Sequence, residues 1–224
     1  MAIRALHWAR PTEMVAREKM PVVIDPASMG AEASYRLLTG LVVPRPIAWV
    51  SSLSVSGVLN LAPFSAFTFV APKPPMLAIS VGRKAEHYKD TARNILATED
   101  YVVHIADQSQ IDALHDSAEE HPADVSEVAL LGLATLPSDL VAPPRLADAP
   151  VAMECRLRHC IEFGETRSRL LVGEVVRIHL REGLLRDGKI ETAELNPIAR
   201  IAGPTYATLG RLIVKRPLHQ TAKG

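Results

Sequence analysis

Residues 151–180 read VAMECRLRHCIEFGETRSRLLVGEVVRIHL. Apolar and polar positions alternate through both halves of this stretch. Met153, Cys155, Leu157 and His159 share one parity in the first half; Leu171, Gly173 and Val175 do so in the second, with Val176 and Ile178 adding apolar weight. Successive side chains of a strand leave on opposite faces, so a period of two predicts two long strands, Val151 to Phe163 and Arg169 to Leu180. Shorter runs of the same kind precede them. Ile47 to Leu53 is a strand, Ser54 to Gly57 a turn, and Leu59 to Ala62 a resumed strand. Ala66 to Val70, Met76 to Val81 and Tyr101 to Ile105 follow, with the proline-rich Ala71 to Pro75 as a connection.

Helical signals are few. Ala31 to Leu38 reads as a short helix stopped by Gly40, and Asp90 to Thr98 as another, with Ala92, Ile95 and Leu96 on its apolar side. Asp107 to Leu131 is a polar helical excursion broken at Pro122, and Leu136 to Pro150 an irregular connection holding four prolines. Asp187-Gly188 marks a tight turn. Strands and helices do not alternate, which argues against a doubly wound sheet. Many strands with small helical excursions predict a mainly β fold, a closed or partly closed antiparallel barrel. The expected organisation is an N-terminal arm over residues 1–34, a barrel domain over 35–210 and a C-terminal tail over 211–224.

Composition narrows the function. The 224 residues carry 25 Lys plus Arg against 25 Asp plus Glu, a balance with no footprint for nucleic acid or an anionic membrane. No apolar run approaches the roughly 20 residues that cross a bilayer, and Met1 to Met20 lacks a signal-peptide pattern. Cys155 and Cys160 fall on one strand, about 16 Å apart at strand rise and at odd separation. That predicts two unbridged thiols on opposite faces and a reducing cytoplasm. His87, His104, His115, His121, His159 and His179 show no metal-ligand spacing; His104 and His159 are expected packed in strands, His115 and His121 solvated. No Gly-rich phosphate loop and no nucleophile elbow is present.

Three segments carry chemical signals. In Arg83 to Asn94, Asp90 or Thr91 can cap a helix whose first N–H groups point outward, and Arg83 and Lys89 add positive charge there. Cations oppose the dipole at a helix start, which makes sense when an anion such as phosphate occupies it; an ordinary capped helix with solvated neighbours is the plain alternative. In Pro44 to Ser52, Arg45 is held between prolines and the following strand presents Ser51 and Ser52, a possible hydrogen-bonding edge for a planar polar ring; the alternative is an ordinary strand with Trp49 in the core. In Asn60 to Ser65, Pro63 interrupts a ladder, so a bulge or sheet edge is expected, completed by a ligand or by the Asn60 or Ser65 side chain.

Taken in order, Pro44 to Ser52, Asn60 to Ser65, Lys89-Asp90-Thr91 with Asn94-Ile95, Ala149 to Cys155, Val172 to Val175 and Arg200 to Tyr206 resemble the flavin reductase-like family of the FMN-binding split barrel, in its flavoredoxin-like branch. The resemblance spans about Tyr35 to Leu209. It implies a six-stranded antiparallel split barrel with FMN at a homodimer interface. Ala48, Trp49, Val50, Ser51 and Ser52, preceded by Arg45, would then lie along the flavin ring. Asn60, Ala62, Pro63 and Ser65 would line the ring and ribityl chain, and Ser80, Arg83, Lys89, Asp90 and Thr91 would hold the phosphate. Arg200 and Tyr206 would approach from the chain's end, from either subunit, and Phe64, Phe67 and the excursion would shape access. No side chain is implied as nucleophile or general base.

The implied activity is an oxidoreductase in which NADH or NADPH reduces bound FMN and electrons pass to free flavin, oxygen, a partner oxygenase or another acceptor. Ser168 stands where many reductases of the family carry a histidine five residues before the glycine of Val-Gly-Glu-Val. That departure keeps open a second reading, an FMN-holding electron-transfer protein that does not itself oxidise NAD(P)H. A barrel without cofactor, serving structure or interaction, is the third.

Overall fold

The computed structural model describes residues 21–84 and 87–218. The first 20 residues of the expected arm, Ala85-Glu86 of the phosphate segment and the tail from residue 219 lie outside the described residues.

Seven strands form one antiparallel sheet: β1 (Ala48–Leu53), β2 (Leu59–Phe64), β3 (Phe67–Pro72), β4 (Pro75–Val81), β5 (Asp100–Ile105), β6 (Val151–Phe163) and β7 (Ser168–Leu180). Their order is β2-β1-β5-β6-β7-β4-β3. The segments read individually as strands are these seven; the count of six implied by resemblance is corrected by β3, which pairs with β4 around a hairpin at Lys73-Pro74. All seven strands contribute to one apolar cluster that includes Ala48, Val50, Phe64, Phe67, Ile79, Val81, Val103, Cys155, Leu171 and Val175. A sheet whose every strand faces one cluster has curled around it, and its two edge strands, β2 and β3, are consecutive in the chain. The barrel is thus partly closed, with Pro63 on edge strand β2, where a missing N–H costs no ladder bond.

Helix α1 (Ala31–Leu41) runs through Gly40 rather than stopping there. The chain leaves the helix at Val42 because Pro44 forbids helical geometry at the residue before it. Helix α2 (Asp90–Thr98) spans the predicted residues and puts Ala92 and Ile95 into the barrel cluster, so it plugs one end. The excursion is less helical than its sequence suggests. It holds α3 (Ile111–Asp116) and α4 (Glu127–Leu130) with a loop between them. These helices cover the outer face of β1 and β2 through a second cluster of Trp49, Leu61, Leu114 and Val128. Asp187 and Gly188 both take positive φ, 49° and 73°, and close a two-residue hairpin.

Both cysteines are free. They pack, however, against the same barrel cluster and not on opposite faces. A bulge at Arg158, between Leu157 and His159, resets the alternation of β6, so Cys160 turns inward and His159 outward. The irregular connection before β6 is anchored by the buried Glu154, whose carboxylate accepts from the Asp139 and Leu140 amides at 2.8 and 2.6 Å and from His179 Nε2 at 2.6 Å. Burial alone would raise this carboxyl; the three donors outweigh it and hold it below the usual range.

Two polar features of the interior generate predictions. A Cβ on Gly173 would stand 2.0 Å from the Tyr101 hydroxyl, which fills the space beside Cys155. Gly173→Ala should therefore cost about 1–3 kcal/mol in urea unfolding, and Tyr101→Phe in the same chain should recover part of it. His104 is wholly buried; its Nδ1–H donates to the Trp49 carbonyl at 2.9 Å and its Nε2 accepts from the Leu146 amide at 3.0 Å. Burial chiefly, helped by the charge of Arg145 and opposed by the Trp49 carbonyl, holds its pKa down at about 4. The unfolded chain protonates this ring near its ordinary 6.5 and the folded chain does not. Stability is thus full above pH 6.5 and falls by up to about 3 kcal/mol as pH drops toward 4. Urea midpoints measured across that window should show this slope in the native chain and a flatter one in His104→Gln.

Candidate functional site

Strand β1 is the centre of the region that the sequence marks for ligand chemistry, yet it is not an edge. It pairs with β2 on one side and with β5 on the other, and Ala48, Trp49, Val50, Ser51 and Ser52 are fully buried. Its polar groups already have partners. Ser51 Oγ donates to the Pro144 carbonyl at 2.9 Å, Ser52 Oγ accepts from Asn94 Nδ2 at 3.3 Å, and the Trp49 indole donates to Ser117 Oγ at 2.9 Å. The expected open hydrogen-bonding edge is corrected on this ground: α2, α3 and the connection before β6 take up those groups.

What β1 does is position β2. Register sets Ser52 opposite Asn60, Val50 opposite Ala62 and Trp49 opposite Pro63. Asn60, Ala62 and Pro63 then line a crevice of about 110 Å³ together with Lys89, Asp90 and Thr91 from the start of α2. Phe64 and Lys84 complete that side, and Ser117 to His121 with Glu127 form the opposite wall. Neither Asp90 nor Thr91 caps α2. Lys89 occupies the N-cap position with no side-chain cap, and Thr91 is buried with its hydroxyl accepting from Asn60 Nδ2 at 2.8 Å. The first amides of α2 are therefore left to whatever enters the crevice.

Charge in the crevice is mixed. Lys84 pairs with Glu120 at 2.8 Å, and that bond holds the Glu120 carboxyl below its ordinary range. Glu127 is buried and accepts from the Leu61 amide at 2.9 Å; burial nevertheless pushes its carboxyl up, and Asp90 adds to the push while the Leu61 amide and His121 oppose it. Asp90 pairs with Arg93 on the next turn.

The remaining predicted residues lie in two other groups. Arg45 and Arg200 are register partners in a short ladder; Arg45 Nε donates to Ser65 Oγ at 3.2 Å, and the Arg200 guanidinium bonds the Tyr206 hydroxyl and lies 4.5 Å over its ring. Tyr206 also bonds His115 Nδ1 at 2.9 Å, which ties this group to α3. Ser80 and Arg83 do not line the crevice. Ser80 pairs with Leu170 on β7, and Arg83 stacks 5.2 Å over Tyr88. Residue parity explains the exchange. Arg83 and Tyr88 pair across a two-stranded turn and face β7, while Lys84, one residue on, points the other way into the crevice. Lys84 was legible as its neighbour; Glu127 was not, because nothing in a polar excursion announces which carboxyl is buried.

A curled antiparallel sheet with a helix plugging one end and a crevice of mixed charge at that helix's N-terminus defines a β-barrel protein of the split-barrel class. Residues 40–194 match the model of the flavin reductase like domain, and the chain belongs to that family. It is 40% identical to nitrilotriacetate monooxygenase component B of Bacillus cereus, with a TM-score of 0.84 over 87% of this chain and 98% of that one. It is 31% identical to the 2-nitrobenzoate 2-nitroreductase of Pseudomonas fluorescens, with a TM-score of 0.80 over 91% and 100%. Flavoredoxin of Desulfovibrio vulgaris shares the fold, at 23% identity and a TM-score of 0.68 over 78% and 91%.

Proposed function

We propose that the chain binds FMN in the crevice between β2 and the start of α2 and uses it for NAD(P)H-dependent oxidoreduction. The observation that carries this reading is the uncapped N-terminus of α2, with Lys89 at its N-cap, Lys84 beside it and the Asn60–Thr91 pair at its base. Outward amides and ammonium groups are the donor set a phosphate ester needs. Lys84, Lys89 and the Thr91 backbone would hold the phosphate; Asn60, Ala62, Pro63 and Phe64 would border the rest of the ligand. The bound flavin supplies hydride acceptance and electron release, and the protein supplies position and exclusion of water.

The partner side is argued from surface and kinship. Phe69 and Val70 on edge strand β3, and Tyr35, Leu38 and Leu41 on α1, are exposed apolar residues suited to a second copy of the chain. A relative at 40% identity is a monooxygenase component, which supports delivery of reducing equivalents to an oxygenase. No helix of the described residues is long and apolar enough to cross a membrane.

Purified protein given FMN should show flavin absorbance after gel filtration, and anaerobic NADH or NADPH should bleach it. Bleaching by a partner reductase system but by neither nicotinamide would assign the electron-carrier role instead. Absence of flavin uptake would refute the reading altogether. Lys84→Ala combined with Lys89→Ala removes phosphate contacts worth about 1.5–3 kcal/mol each, so FMN affinity should fall by about a hundredfold or more with the far-ultraviolet spectrum unchanged.

A further inference from the structure

Lys84 and Lys89 border the crevice on the α2 side, and a carboxylate meets them from the opposite wall. Lys84 Nζ lies 2.8 Å from Glu120 Oε2. That bond chiefly, with the charges of Lys84 and then Lys89 behind it, holds the Glu120 carboxyl low. Glu120 belongs to the loop between α3 and α4, so the contact spans the crevice from wall to wall. The other acidic groups lining it are placed differently. Asp90 pairs with Arg93. Glu127 is buried, holds the Leu61 amide at 2.9 Å and faces His121. Glu119 stands next to Glu120 and makes no ion pair with any described residue.

The loop that carries Glu120 is tied at both ends. At one, Ser117 Oγ accepts from the Trp49 indole at 2.9 Å and donates to the Leu114 carbonyl at 2.9 Å. At the other, Ser126 Oγ donates to the Leu59 carbonyl at 2.6 Å, next to Glu127 on the Leu61 amide. The backbone therefore keeps Glu120 in front of Lys84. The two side chains, by contrast, are 64% and 51% exposed. An exposed pair of long side chains is weakly held and screened by salt. Glu120 can leave Lys84 by turning its own side chain into water, with no loop movement and no buried charge left behind. Glu127 has no such freedom, because losing its carboxylate would strand the Leu61 amide.

Resting on the flavin reading above, we propose that Glu120 is a built-in competitor for the flavin phosphate and sets the affinity of the crevice for FMN relative to riboflavin. Its carboxylate holds an ammonium group that the phosphate needs, so the phosphate binds by exchange. A phosphomonoester carries about −1.5 to −2 at pH 7, against a single charge on the carboxylate. It also reaches Lys89 and the first α2 amides, so the exchange runs forward. Each binding event is nevertheless discounted by the Lys84–Glu120 bond that it breaks. Riboflavin has no phosphate, leaves that bond intact and bears no discount. Glu120 also stands ready to retake Lys84 when the phosphate lifts, which speeds release. The crevice is thereby built for a flavin that exchanges with solvent.

The test uses the purified full chain, freed of flavin, beside Glu120→Gln, Glu119→Gln, Lys84→Met and the Lys84→Met/Glu120→Gln double variant. Both glutamates are exposed, so melting temperatures of their variants should match the native chain. Fluorescence titrations read FMN and riboflavin, and calorimetry reads inorganic phosphate. Glu120→Gln should tighten FMN about threefold or more, slow its release and leave riboflavin unchanged. Glu119→Gln should do less, and in the Lys84→Met background Glu120→Gln should lose its gain. Unchanged FMN affinity in Glu120→Gln overturns the proposal. So does an equal gain from Glu119→Gln, which would mean diffuse charge, or a gain that survives without Lys84. If no variant binds either flavin, the flavin reading falls and inorganic phosphate decides this proposal by itself. Tighter phosphate binding in Glu120→Gln then upholds the competitor, and unchanged binding overturns it.

Discussion

The fold depends on burying β1 without leaving any of its polar groups unsatisfied. This strand is enclosed on both faces, and a buried donor or acceptor without a partner costs about 1–3 kcal/mol. Its side chains and carbonyls therefore recruit partners from far along the chain. Asn94 comes from the helix that plugs the barrel, Ser117 from the excursion, Pro144 from the long connection and His104 from the neighbouring strand. Each of these bonds fixes one element against β1. The crevice exists because three such elements, α2, β2 and the excursion, are held against the same strand at set heights.

The same enclosure explains what the sequence disclosed and what it hid. Strand positions follow from apolar alternation, and all seven strands could be read with small errors at their ends. Helix α2 followed from its apolar stripe. Ser51 and Ser52 misled because a hydroxyl in a strand reads as facing water or ligand, whereas their acceptor and donor lie 93 and 42 residues away. No local pattern encodes a partner at that distance. A bulge hid Cys160 in the same way: alternation predicts a face only while the register is kept, and β6 gains an extra residue at Arg158. Gly40 failed as a stop because a glycine permits helix termination without imposing it, and Pro44 does the imposing.

The candidate site was legible as residue types and only partly as positions. Asn60, Ala62, Pro63, Lys89, Asp90 and Thr91 come together. The error of one residue between Arg83 and Lys84 is instructive, since in an extended turn adjacent side chains serve opposite faces. Carboxylates on the excursion wall were invisible because their relevance is set by packing. Glu127 is brought to the crevice only because its carboxylate closes the ladder of edge strand β2 at the Leu61 amide. It thereby substitutes for the neighbouring strand that an edge lacks.

Parity in the Arg83–Tyr88 turn also divides the cations of this region into two groups with different surroundings. Ammonium groups of Lys84 and Lys89 are compact and strongly hydrated, and they stand beside free helix amides, where a phosphate can complete the coordination. Guanidiniums of Arg83 and Arg169 are planar and stacked on the Tyr88 ring, away from the crevice. Lys84 and Arg83 thus leave one turn on opposite sides, and of the two only the lysine lines the crevice.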